Sequence, residues 1–291
     1  MKTSSKIVPV FLLVGVIACA VLRFFQYVSI LDFETGYFTE NGGSAGILIY
    51  ILMCIVAVVY VALLIVGKKK GEAAYLVSSD GMGSHATQIL GGGDILAAFV
   101  IAWGLLTSGG VSGLRLVCAG GIGIILLVTG FLLLKNIVPP PITGHIKVLA
   151  AALLFPVIAE HYESDLIMIR RSDKLIVMIS YVFIGAFFAS VARMFSRIET
   201  PNSRLRELVT SGFTFILCAT HTLPKLLAYA FGGTAAAGMA PLDTICAAGM
   251  IVSGAFIGTL FFTEKKKDII PVVYDEDEDK KKKKKKNSEE E

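Results

Sequence analysis

Gly46–Val66 is an unbroken apolar run of twenty-one residues, GILIYILMCIVAVVYVALLIV, closed by Gly67 and then Lys68, Lys69 and Lys70. A helix of that length covers about 30 Å, the thickness of a bilayer's hydrocarbon core. Lysines cross that core at high cost and collect on the cytoplasmic side, so the C-terminal end of this span is expected to lie inside the cell. Similar runs occur at Ile7–Leu22, Ile95–Leu106, Leu116–Leu134, Ile146–Ala159, Leu175–Ala192, Leu208–Phe231 and Leu242–Phe262. Ile95–Leu106 is short unless Ile89–Gly93 joins it. Ile146–Ala159 is also short and contains Pro156, so it reads as a span or as a re-entrant segment. The expected fold is all-α: a polytopic transmembrane helix bundle of about eight spans, with both termini cytoplasmic. Residues 1–267 make the bundle, and 268–291 a disordered, charged cytoplasmic tail.

Charge supports that orientation. Lys2 and Lys6, Lys68–Lys70, Lys135 and Lys147, Arg193–Arg206 and the lysines from Lys265 onward all fall inside. Arg23, Arg115, Arg170, Arg171 and Lys174 fall outside, and Lys225 within span seven. The loop at 163–174 fits least well. Removing the fifth span would bring its cations inside but would put Arg193–Arg206 outside. A reporter fused after Gly67 should be active only in its cytoplasmic form; activity only outside would reverse the whole map.

Composition agrees with a membrane protein. The chain is 55% hydrophobic and 17% charged, with mean hydropathy +0.73; soluble domains carry about 25% charge. The formal net charge of +4 does not point to nucleic acid, because the lysines sit where topology wants them. Cys19, Cys54, Cys118, Cys218 and Cys246 all lie in apolar segments without a CxxC pair, and read as membrane-buried thiols. The basic start and Ala18-Cys19-Ala20 have the look of a cleavable signal. Against that, apolar character resumes at Phe24.

Between the first two spans stands Arg23-x2-Gln26-x5-Asp32-x2-Thr35-Gly36-Tyr37-Phe38. This pattern resembles the first hairpin of uncharacterised multi-pass membrane proteins from anaerobic Gram-positive bacteria. The resemblance implies a bacterial plasma membrane and carries no activity. Gly81-Met82-Gly83 and Gly91-Gly92-Gly93 read as loop glycines, since no Gly-Lys-Ser/Thr follows and no strand precedes. Ala119-x3-Gly123 is a small-x3-small face that lets helices approach closely. The tail holds five acids, then Lys280–Lys286, which could hover over anionic lipid headgroups, although its acids weaken that attraction.

Chemistry concentrates in span seven. Thr214, Cys218, His221 and Lys225 are spaced to share one helix face. Pro224 beside Lys225 tends to kink the helix. At similar depth, Glu160 ends span five, Asp243 begins span eight and Arg115 begins span four. Two readings stand: these seven residues line a polar pocket in the outer half, or the three helix-end charges are incidental and Lys225 snorkels outward. His85, His145, His161 and His221 are scattered, with no His-Glu-x2-His and no Gly-x-Ser-x-Gly. No metal or cofactor is therefore expected, and an enzyme is the least favoured class. The favoured function is a small-solute or ion transporter; the alternative is a non-catalytic scaffold, assembly or regulatory subunit.

Overall fold

A computed structural model describes residues 4–29, 43–69, 84–107, 112–135, 141–164, 172–196, 198, 203–231 and 242–261. Among them are eight α-helices and no strand: α1 (Ser4–Ser29), α2 (Gly43–Lys69), α3 (Ser84–Thr107), α4 (Gly113–Leu134), α5 (Pro141–Ser164), α6 (Ser172–Phe195), α7 (Ser203–Phe231) and α8 (Thr244–Gly258). A 3-10 turn, Thr259–Phe261, extends α8. The fold is an all-α polytopic bundle.

Seven helices are long and apolar enough to cross a membrane; α7 alone is not apolar enough. With 29 residues it is about 44 Å long, ample for a crossing. Its neighbours are α1, α2, α6 and α8, and buried residues run along it from Arg204 to Ala228. Its exposed large apolar side chains, Leu226, Tyr229 and Phe231, lie only at its C-terminal end. The outer helices turn Val58, Phe99, Ile124 and Phe155 outward instead. Lipid is the apolar phase here, so the most polar helix takes the interior.

Close approaches give the helix directions. Gly91 of α3 faces Gly130 and Leu134 of α4, while Gly123 faces Ala98 and Ile101, so these helices are antiparallel. Gly93 meets Ala255 and Gly104 meets Thr244, which makes α3 and α8 antiparallel. Tyr181 bonds to Asp243 and Phe187 packs edge-on against Phe256, so α6 runs parallel to α8.

Several sequence expectations change. Gly91–Gly93 is not a loop: α3 begins at Ser84 and runs through it. A Cβ on Gly91 would stand 2.7 Å from the Gly130 carbonyl oxygen, and one on Gly93 2.5 Å from Ala255 Cβ. Those glycines are contact points between helices, and the third span gains its missing length. The fifth segment is one continuous helix of 24 residues, about 36 Å long. Pro141 stands at its first position, where a missing N–H costs nothing. Lys147 is not a loop residue but lies inside α5, 1% exposed. Arg23 is likewise no outside-loop charge: α1 continues to Ser29, and Arg23 is fully buried, donating to Gln26 Oε1 at 3.0 Å and stacking 4.9 Å over the Tyr27 ring. Cys54 is exposed on the bundle surface while the other four cysteines are buried. Asp32–Phe38, the loop at 165–171 and the tail lie outside the described residues.

Candidate functional site

The site is built on the N-terminus of α8. Helix starts leave backbone N–H groups without partners, and a carboxylate there satisfies one and suits the dipole. Asp243 fills that role: its Oδ1 accepts from the Cys246 N–H at 2.9 Å. Its Oδ2 accepts from Arg115 Nη2 at 3.2 Å and from the Tyr181 hydroxyl. Arg115 also donates to the Tyr181 oxygen at 3.3 Å. The arginine is positioned by the first turn of α4, where Ser112 Oγ accepts from its backbone N–H at 3.1 Å. Three helices are thereby joined through one carboxylate.

Helix α7 supplies the inner wall. Lys225 is 3% exposed and His221 1%, so Lys225 does not extend its ammonium into open solvent from this bundle. His221 acts electrostatically on Asp243, and Lys225 on Cys246, which lies beside Cys218. Glu160 at the end of α5 acts on Arg115, and its Oε2 is buried without a hydrogen-bond partner. Of the seven residues expected from sequence, six fall in one neighbourhood. Thr214 does not. Its hydroxyl bonds the Thr210 carbonyl at 2.8 Å and the Phe183 carbonyl at 2.9 Å, tying α7 to α6 farther down the bundle.

Asp243 stands just before the apolar stretch of α8. Burial opposes its charge, but His221, the Tyr181 hydroxyl, Arg115 and the Cys246 amide together hold the carboxyl below its ordinary value. The sign follows: the stabilisation from this ionised carboxylate is complete above the ordinary carboxylate range and is lost as pH falls through the lower folded value. Trp103, Tyr162 and Tyr229 are exposed near the ends of α3, α5 and α7 at this same end of the bundle. Amphipathic aromatics favour the headgroup level, so the site lies close to a membrane–water interface.

Two further polar centres were not anticipated from sequence. Asp94 of α3 and Lys147 of α5 form an ion pair at 2.5 Å, with side chains 3% and 2% exposed. Thr129 of α4 donates to the same Asp94 oxygen at 2.8 Å, and the ammonium lies 5.7 Å from the Phe188 ring centre. At the N-terminal end of α7, Arg204 donates to Thr259 Oγ1 at 3.2 Å, lies 4.8 Å over Phe256 and pairs with Glu207 at 3.8 Å. Tyr60 of α2 donates to the Leu208 carbonyl at 2.7 Å. These contacts fasten that end of α7 to its neighbours. Spacing alone could not pair Asp94 with Lys147, since they lie fifty-three residues apart; the available signal was two charges within apolar runs.

Among the described residues no group of three or more His, Cys, Asp or Glu is placed to hold a metal ion. The chain is an integral, multi-pass membrane protein, and no family model, curated protein or solved structure matches it.

Proposed function

We propose that this protein is a small-solute or ion transporter, and that the polar cluster at the outer end of α7 is where its substrate binds. The observation that carries this reading is the convergence of charge on the enclosed helix: Lys225 and His221 face inward, and Arg115, Glu160 and Asp243 come from three other helices. Ionisable groups in a membrane interior are costly and mark solute or ion pathways. The Glu160 oxygen without a partner adds an acceptor that a cationic or hydrogen-bonding solute would satisfy. By the charge bias of the loops, this end faces out of a bacterial plasma membrane. On the same orientation, the cationic run Lys280–Lys286 would be drawn to anionic headgroups of the inner leaflet.

The experiment is thiol labelling in sealed vesicles, paired with one substitution. In a chain carrying His221→Cys with its native cysteines replaced, a hydrophilic thiol reagent added outside should modify position 221. Lys225→Met should remove a buried cation from the wall of the cluster and lower the melting temperature in detergent. An unmodified thiol together with a thermally silent Lys225→Met would sink the transporter reading and leave the scaffold or assembly-subunit alternative.

A further inference from the structure

One face of α7 is polar for the full depth of a bilayer. It begins with Arg204 and Glu207, continues through Ser211, Thr214 and Cys218, and ends with Thr222 and Lys225 beside the Asp243 cluster. On a helix turning about 100° per residue, these positions fall within an arc of about 100°. The rise from Arg204 to Lys225 is about 31 Å, which matches the hydrocarbon core. Every one of these side chains is buried. Helices α6 and α8 cover the face: Thr214 bonds the Phe183 carbonyl of α6, and Arg204 bonds Thr259 and lies over Phe256 at the end of α8.

Hydroxyls inside a membrane protein commonly tie one helix to another. That account covers Thr214 but not Ser211 or Ser253. Ser211 donates to the Leu208 carbonyl of its own helix at 2.9 Å, and Ser253 of α8 to its own Gly249 carbonyl at 2.6 Å. Alanine would pack there equally well. Thr222 is fully buried and its hydroxyl has no hydrogen-bond partner, a cost that packing alone does not justify. The charges are confined to the two ends and are matched there. Arg115 and Lys225 stand with Asp243 and Glu160 at one end, and Arg204 pairs with Glu207 at the other. Between Glu207 and His221, about 21 Å of rise, no charged side chain faces the seam among the described residues of α6, α7 and α8. The balanced pair Asp94–Lys147 opens on a separate cavity, walled by Phe187, Val252 and Phe256.

We infer that the seam of α7 with α6 and α8 is the path the solute takes, and that the solute is a small uncharged molecule carrying hydrogen-bond donors, such as a polyol or an amide. This rests on the transporter reading and narrows it. An ion in the middle of the seam would meet no opposite charge and too few oxygens to replace its hydration shell. A hydroxyl that donates to its own helix keeps its oxygen lone pairs, so Ser211 and Ser253 offer acceptors to a passing O–H or N–H group. Thr222 offers a donor as well. The seam is shut in this structure. Phe256 lies under Arg204, and a Cβ on Gly249 or Gly254 of α8 would stand 3.1 Å from Cys218 Sγ or 2.9 Å from the Phe215 ring of α7. Passage therefore requires α8 to part from α7.

Thiol accessibility in proteoliposomes tests both the path and its selectivity. Ser211→Cys and Ser253→Cys are made separately in the full chain with its native cysteines replaced. Each is treated, from both sides of the membrane, with three methanethiosulfonate reagents of similar size: one neutral and hydroxyl-bearing, one a quaternary ammonium, one a sulfonate. The neutral reagent should modify both positions, about 100-fold faster than either charged one. Ile216→Cys, buried on the opposite side of α7, should react with none. If one seam variant fails to insert, the other carries the test from the facing helix. Equal rates with all three reagents, faster reaction with a charged one, or no reaction at either seam position overturns the proposal. Reaction at position 216 as fast as at 211 overturns it too. Labelling at position 221 without labelling in the seam would strike the path and keep the transporter; labelling in the seam without position 221 would remove the entrance at the Asp243 cluster and keep the path.

Discussion

Asp94→Leu should lower the thermal stability of the purified protein by about 3–5 kcal/mol, and adding Lys147→Met should restore most of that loss. The single change leaves an ammonium in a pocket where its described neighbours are apolar side chains and one hydroxyl. The double change fills the same space with groups that need no partner. Removing only Lys147 should cost less, because an isolated carboxyl can take a proton and become neutral. Melting curves of the wild type, the two single variants and the double variant form a double-mutant cycle. Additive losses would mean that the two groups do not interact in the folded protein.

Adjacent glycines should respond in opposite directions. Gly91→Ala places a methyl 2.7 Å from the Gly130 carbonyl oxygen and 2.8 Å from the Leu134 amide nitrogen. Both are backbone atoms, which cannot swing aside as a flexible side chain would. Helices α3 and α4 must separate, so a cost of about 1–3 kcal/mol is expected, and more for a larger side chain such as Leu. Gly92→Ala meets nothing within 4 Å and should be neutral or stabilising by up to about 1 kcal/mol through helix propensity. Thermal unfolding of the two alanine variants side by side decides the matter. Equal effects would mean that the close approach of α3 to α4 does not hold in the membrane.

This glycine run also shows what the sequence conceals. Gly91-Gly92-Gly93 reads as a linker because glycine clusters punctuate loops, and the reading is wrong because a partner helix sits against two of the three. Once that run is taken for a loop, Asp94 becomes the first residue of a span and its position deep inside α3 is lost. The same mistake places Lys147 at a helix entrance. The cluster around Asp243 was easier to see, since Lys225 and His221 follow helical spacing within α7, and Glu160, Asp243 and Arg115 mark helix ends at similar depth. Tyr181 was missed because one tyrosine in an apolar helix has no periodicity to distinguish it, although it shares the Asp243 carboxylate. Thr214 lies on the right face of α7 but too far along the axis, and helical spacing reports the face without fixing the depth.

The enclosure of α7 bears on how the chain enters the membrane. A helix with His221, Pro224 and Lys225 in its C-terminal half is a poor candidate to partition alone from the insertion machinery into lipid. It is emitted after α1, α2 and α6, three of the four helices that surround it. Those earlier helices can form a partial groove that receives α7 as a guest, with α8 closing the remaining side. Assembly would thus be sequential, with α7 stable only in company, and a nascent chain halted after Phe231 should leave that helix open to extraction and proteolysis until α8 arrives.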